Sequence, residues 1–181
     1  MSKRNKLSKF EDIMSYPNVY QNFSPKEIMP MGQGGKVVQL KGKWVEHFGD
    51  QKPITLELAC GRGEYTIQLA RDYTDRNFIG VDVKGARIWK GATMALSEGL
   101  DNVAFMRTKI EVIEEFFAPN EISEIWITFA DPFLGKPNRR LTAPDFHDRY
   151  KRILIDGGVD NMKIDDPTLY EFTKEVLAER D

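Results

Sequence analysis

The sequence predicts an α/β fold, with a mostly parallel central sheet and helices on both faces. Three observations carry that expectation. Apolar runs of strand length alternate with segments of helical spacing from residue 40 onward, a Gly-rich turn (Gly61-Arg62-Gly63) follows the first full strand, and a carboxylate (Asp82) closes the next one. Strands joined through helices run parallel, because each crossover carries the chain back to the end from which it started.

Residues 1–39 read as a basic N-terminal arm, partly ordered, and residues 40–181 as the folded domain. In the arm, Pro17, Pro25, Pro30, Gly32, Gly34 and Gly35 interrupt any periodicity, so at most one short helix is expected, over 9–14. Its aromatic residues Tyr16, Tyr20 and Phe23, with the cluster Lys3, Arg4, Lys6 and Lys9, suit docking on the domain or on RNA. The domain then reads as helix 43–48, strand 53–58, helix 65–72, strand 77–83, helix 86–98 and strand 103–107. Helix 112–117, strand 124–129, helix 142–154, strand 159–164 and helix 169–179 follow. The helical spacing is plainest where Ile88, Ala92 and Leu96 share one stripe, and where Leu141, Phe146, Tyr150 and Ile153 share another.

A chain of 181 residues fits one domain with one core. Its 41% hydrophobic and 30% charged residues are an ordinary globular balance, and the net charge of −2 conceals an uneven spread. A near-neutral total leaves a nucleic-acid partner open, since a local basic patch suffices. The single cysteine, Cys60, excludes an internal disulfide framework and suits a reducing compartment. No apolar run approaches the roughly 18–20 residues of a membrane span, and no apolar stretch follows the basic N-terminus as in a secretory signal. The expected location is the cytoplasm.

Ligands of open parallel sheets bind beyond the carboxyl ends of the strands, at the point where the strand order reverses. Gly61 and Gly63 stand there. They allow a sharp turn and a close backbone approach to a ligand, and the N–H groups of the next helix face the same space. A dinucleotide fingerprint needs a third glycine, but position 66 is Thr, so a ligand with an amino-acid end and a ribose fits better. Glu57, near the strand's end, can receive a cationic group. Asp82, roughly 20 residues past the glycines, can accept from both ribose hydroxyls. The next candidate is Asp131, which Pro132 holds at the sheet edge by forcing the chain to turn. A carboxylate there can accept from a purine's N–H groups and stabilise a cation formed by alkylation of a ring nitrogen. The basic loop Lys136-Pro137-Asn138-Arg139-Arg140 beside it is suited to phosphate contact, with Arg139 the better placed of the two arginines for a bidentate grip. Asp165 and Asp166 either cap the last helix or border the site. His47 and His147 lack metal-ligand spacing, and no metal is expected.

Taken together, Glu57-Leu58-Ala59-Cys60-Gly61-Arg62-Gly63-Glu64, Phe78-Ile79-Gly80-Val81-Asp82, Trp126-Ile127-Thr128-Phe129-Ala130-Asp131-Pro132 and Arg139-Arg140-Leu141 resemble the tRNA (guanine-N7)-methyltransferase family over roughly residues 40–177. The resemblance implies a Rossmann-like methyltransferase fold, S-adenosylmethionine as cofactor, no metal, and tRNA as substrate, methylated at N7 of guanine 46 in the variable loop. It implies that Glu57, Gly61 and Gly63 line the methionine end of the cofactor and Asp82 its ribose. It also implies that Asp131 and Asp165 serve the reaction centre, and that Lys136, Arg139 and Arg140 touch tRNA.

The sequence departs from the family's pattern in several places. Phe133 and Leu134-Gly135 replace its Trp and part of its basic run, Ile164 replaces the Thr before Asp165, and Asp160-Asn161-Met162 makes the fifth domain strand unusually polar. Lys109 stands where many methyltransferases place an acid near the adenine. The family's terminal β-hairpin, with its Thr-x-x-Glu segment, does not follow. A short product, or a sheet edge covered by a homodimer partner or another chain, is the expectation from that difference. Two other readings accompany the leading one: a catalytically impaired cofactor- or RNA-binding remnant, and a methyltransferase acting on another substrate.

Overall fold

The computed structural model describes residues 5–180; Lys3 and Arg4 of the basic cluster lie outside the described residues. Six strands, β1 (Val19–Gln21), β2 (Ile54–Leu58), β3 (Asn77–Asp82), β4 (Val103–Arg107), β5 (Ile122–Thr128) and β6 (Leu154–Lys163), form one sheet in the order β1-β4-β3-β2-β5-β6. Every pairing is parallel. The chain steps outward from β2 to β3 to β4, then returns across β2 to lay down β5. The order therefore reverses between β2 and β5, and their carboxyl ends border the crevice.

Both faces of the central strands are buried, which is why β2 and β3 carry so few exposed positions. Leu56, Leu58, Ile79, Val81, Ile125 and Ile127 point to one face, against Trp44 of α2 (Trp44–Phe48), Tyr150 of α5 (Pro144–Ile153) and Leu169 of α6 (Pro167–Ala178). Phe78, Val103 and Phe105 point to the other, against Ile13 of α1 (Lys6–Ser15), Ile67 of α3 (Glu64–Asp72) and Ile88 of α4 (Gly85–Glu98). Phe105 occupies a slot that only glycines leave open. A Cβ at Gly63, Gly80 or Gly91 would stand 2.5, 2.8 or 2.7 Å from its ring.

The structure departs from the sequence expectation in three places. First, the N-terminal segment supplies a sheet strand as well as a helix. Val19–Gln21 pairs with Phe105–Arg107, extended at each end by Phe105 N–H donating to the Asn18 carbonyl and Asn22 N–H to the Arg107 carbonyl, both at 2.8 Å. Three residues are too few for a period-2 pattern to emerge. Helix α1 packs on α4, with the Trp89 indole donating to Asp12 at 2.7 Å. Second, the segment expected as helix 112–117 is a 3-10 turn over Ile110–Glu115, with Val112 outside helical geometry; the β-branched Val112 and Ile113 are poor helix formers. Third, β6 starts five residues before the expected strand and bulges against Ile122 and Glu124. Its polarity has a local cause: Asn161 donates to Glu124 at 2.7 Å, Asp160 lies 3.2 Å from His147, and Lys163 stands 4.6 Å over the Tyr65 ring. Among the described residues the outer edge of β6 is unpaired.

Candidate functional site

The first half of the site is built by the turn after β2. Ala59, Gly61 and Gly63 all have positive φ (57°, 58° and 72°), so the chain reverses tightly and sets the first turn of α3 at the sheet edge. The Asp82 carboxylate locks this turn to the next loop. Its Oδ2 accepts from Gly61 N–H at 2.9 Å and its Oδ1 from Lys84 N–H at 2.8 Å. Each carboxylate oxygen can accept twice, so two acceptor positions remain for a ribose diol. At Gly61 a Cβ would meet no protein atom within 4 Å, so the backbone there is open to a ligand.

Glu57 is placed differently from expectation. It is 3% exposed, and its carboxylate is held inside the protein. Oε2 accepts from the backbone N–H and the hydroxyl of Thr66, and Oε1 accepts from the Thr128 hydroxyl at 2.6 Å. Burial pushes its carboxyl above the usual carboxylate range, against the lowering pull of Thr128 and Thr66. The side chain thus ties β2, α3 and β5 together just beneath the crevice. Burial likewise pushes the neighbouring Cys60 thiol up, helped by the Glu57 and Asp82 carboxylates, so it stays protonated and fills space.

The second half is the turn after β5, Thr128-Phe129-Ala130-Asp131-Pro132-Phe133. Asp131 Oδ1 accepts from Phe133 N–H at 2.8 Å, beyond the end of the β5 ladder, whose last bond runs from Phe129 N–H to the Lys163 carbonyl at 2.8 Å. Phe129 and Phe133 both have positive φ, 52° and 41°. Asp131 is exposed and faces the same cleft as Asp82, a cavity of about 220 Å³ that also takes in Lys109, Glu111, Phe133 and Arg139. Two distant sequence motifs therefore meet in one space.

The remaining predicted residues separate. Lys136, just before the short turn Pro137–Arg139, and Arg139, at its end, are exposed, and the Arg139 guanidinium lies 4.9 Å over the Phe133 ring. Arg140 is 6% exposed; it donates to the Pro132 carbonyl at 2.7 Å and lies 4.5 Å over Phe172. Its visible work is to hold the Asp131-Pro132 turn against α6. Asp166, not Asp165, caps α6 by accepting from Leu169 N–H at 2.8 Å. Asp165 stays exposed past the carboxyl end of β6, outside the cleft that Asp82 and Asp131 share. The arm's aromatics dock on the domain: Tyr16 bonds Thr93 at 2.8 Å, Tyr20 packs edge-on against Trp44, and Phe23 lies 5.2 Å from Arg107.

In the segment after β4, the sequence reading singled out Lys109 without assigning it a contact and missed Thr108, Ile110 and Glu111. Thr108, Lys109, Ile110 and Glu111 line the cleft next to Val83, and the rule that sites follow strands would have found them. It also missed Thr66 and Thr128 as the partners of Glu57, since residues so far apart in sequence carry no mutual signal. No helix of the described residues is long and apolar enough to cross a membrane.

A parallel sheet in this order, with a Gly-rich turn tied to the Asp82 carboxylate and a second acidic turn across the crevice, defines a Rossmann-like methyltransferase. The antibiotic-resistance methyltransferase Kmr superposes with a TM-score of 0.59 at 17% identity, over 74% of this chain and 70% of Kmr. A Haemonchus contortus phosphoethanolamine N-methyltransferase, solved with S-adenosylhomocysteine, superposes with a TM-score of 0.52 at 16% identity, over 74% and 31% of the two chains. A family model described as "Putative methyltransferase" matches residues 51–181. The tRNA (guanine-N(7)-)-methyltransferase of Bacteroides fragilis is 47% identical over 178 residues, 97% of this chain and 68% of that protein. The protein of the same description from Christiangramia forsetii is 49% identical over 180 residues, 98% of this chain and 78% of its own length. The chain belongs to the tRNA (guanine-N7)-methyltransferase family.

Proposed function

We propose that this chain methylates N7 of a guanine in tRNA, guanine 46 of the variable loop, with S-adenosylmethionine as the methyl donor, in the cytoplasm. The observation that carries the reading is the single cleft shared by Asp82 and Asp131, one on each side of the crevice between β2 and β5. The fit of the cofactor rests on the open backbone at Gly61, the spare acceptor positions on Asp82, and the apolar Val83 and Ile110 beside it for a base. When bound, the cofactor supplies an electrophilic methyl group on a sulfonium.

The chain's own residues then have a limited task. Guanine N7 has a lone pair and no proton at neutral pH, so no strong base is needed. Holding the purine in line with the methyl group supplies most of the acceleration. Asp131 accepts from the purine's N–H edge and offsets the positive charge that grows on the ring. Gly61 and Gly63 shape the methionine end, with Glu57 supporting them from below. Lys136 and Arg139 meet tRNA phosphates, while Arg140 keeps their loop in place. Asp165, past the carboxyl end of β6 and outside the shared cleft, flanks the acceptor side.

The test is incubation of the purified protein with methyl-labelled S-adenosylmethionine and unmodified tRNA, with nucleoside analysis of the product. Label in 7-methylguanosine is expected. Cofactor binding with no label in tRNA would leave only a binding remnant; label in other acceptors and none in tRNA would point to a different substrate.

Asp82→Ala is expected to weaken cofactor binding by about 10- to 100-fold, since hydrogen bonds to a charged group contribute roughly 1.5–3 kcal/mol. Titration calorimetry measures this, and an unchanged affinity would move the ribose elsewhere.

A further inference from the structure

We infer that Phe133 is the stacking surface for the acceptor purine, so that the methylated base is held face-on by this ring and edge-on by Asp131. The inference rests on the acceptor-side reading of the cleft given above, and extends it to a residue that reading does not use.

The backbone carries the first argument. Among the described non-glycine residues, only Ala59, Asn120, Phe129 and Phe133 have positive φ. Asparagine tolerates that region through its short polar side chain; a bulky phenylalanine does not. A glycine at position 133 would remove the strain, yet the chain keeps an aromatic ring there. Strain of this kind persists where the surroundings over-determine it, and it gathers at working sites.

The ring's surroundings carry the second. Phe133 belongs to neither apolar core and is only half-buried, so core packing does not account for keeping the ring. It lines the cleft together with Asp131 and Asp82. Its backbone N–H is the donor that Asp131 Oδ1 accepts, so the carboxylate is anchored to the backbone that carries the ring. The Arg139 guanidinium lies 4.9 Å from the ring centroid, fixing the ring's orientation from one side.

Chemistry supplies the third. Attack by N7 on a sulfonium methyl forms the N7–CH3 bond and breaks the S–CH3 bond. The electron pair of the broken bond stays on sulfur, and the purine becomes cationic. The electron-rich face of a phenyl ring stacks on any base, and it attracts a cationic one more strongly. A phenylalanine beside Asp131 therefore holds the developing product better than the neutral substrate, which is the condition for accelerating the step.

Three variants test this. Phe133→Leu keeps apolar bulk without a π face, Phe133→Tyr keeps the face, and Phe133→Gly removes the ring while relieving the backbone. Steady-state transfer to unmodified tRNA should fall about 10- to 100-fold in kcat/KM for the leucine and glycine variants. It should stay within about threefold for tyrosine, and affinity for S-adenosylhomocysteine should change by less than about twofold throughout. A separate readout is binding of 7-methylguanosine 5′-monophosphate to the S-adenosylhomocysteine complex, followed by ligand-observed NMR; the parent chain and Phe133→Tyr should bind it and Phe133→Leu should not. Equal nucleotide binding by parent and leucine variant, or no binding by the parent, overturns the inference. So does a selective loss of S-adenosylhomocysteine affinity in the leucine variant, which would make the ring a cofactor wall. If the parent chain fails to methylate tRNA but binds the nucleotide through Phe133, the tRNA reading falls and this one stands.

Discussion

Asp131→Ala is expected to lower methyl transfer to tRNA by about 10²–10³-fold while cofactor affinity stays within about twofold. The carboxylate stands exposed on the turn after β5, on the side of the cleft opposite the Asp82 loop. Its single described bond is to Phe133 N–H, leaving Oδ2 to accept from the purine. Alanine removes both the charge and the turn's hydrogen bond, so a second variant separates them. Asp131→Asn retains an acceptor for Phe133 N–H but carries no charge, and should leave thermal stability unchanged while still losing about 10²-fold. Rapid-quench transfer with saturating cofactor, beside calorimetric affinity for S-adenosylhomocysteine, reads the two effects apart. A large loss of cofactor affinity would show that Asp131 belongs to the other half of the site, and near-parental transfer by either variant would remove it from the reaction.

Gly63→Ala should be the most damaging single methyl group added to the crevice. Two costs combine: a left-handed backbone worth roughly 1–2 kcal/mol, and overpacking worth roughly 1–3 kcal/mol. The new Cβ would stand 2.5 Å from Cε1 and 2.7 Å from Cζ of Phe105, whose ring is fully enclosed between α3, α4 and the sheet. A loss of about 2–5 kcal/mol is a large part of a domain's stability, so denaturant and thermal midpoints should fall clearly and cofactor binding should weaken with them. Gly61→Ala is the internal comparison. Its φ is also positive, 58°, but a Cβ there meets nothing within 4 Å, so only the backbone cost applies. Equal stabilities for the two variants would show that the Phe105 slot is not tight.

Much of this protein is legible from local pattern. Ile54–Leu58, Asn77–Asp82 and Val103–Arg107 are apolar runs bounded by polar turns, and each strand lies within a residue of its expected span. Two of the three departures show why the rest is not. Strand β1 is three residues long and exists because β4 offers it an unpaired edge. The segment over Ile110–Glu115 has helical spacing but β-branched residues in its centre, and it settles as a 3-10 turn. Arg140 shows the same limit in the site. Beside Arg139 in sequence, it has the same charge and the same expected partner, yet one guanidinium is buried against Pro132 and Phe172 while the other lies over Phe133 in the open cleft.

The Gly61-Arg62-Gly63 turn, Asp82, Asp131-Pro132 and the parallel α/β layout all follow from the sequence, because turn residues and strand ends act through near neighbours along the chain. Only the tertiary structure brings Asp82 and Asp131 into one cleft, turns Glu57 inward to Thr66 and Thr128, and sets the Phe133 ring at the wall of that cleft under Arg139. Those relations depend on which strands become neighbours when β5 crosses back over β2. That choice is made by burying two apolar faces at once, and no short stretch of sequence contains it.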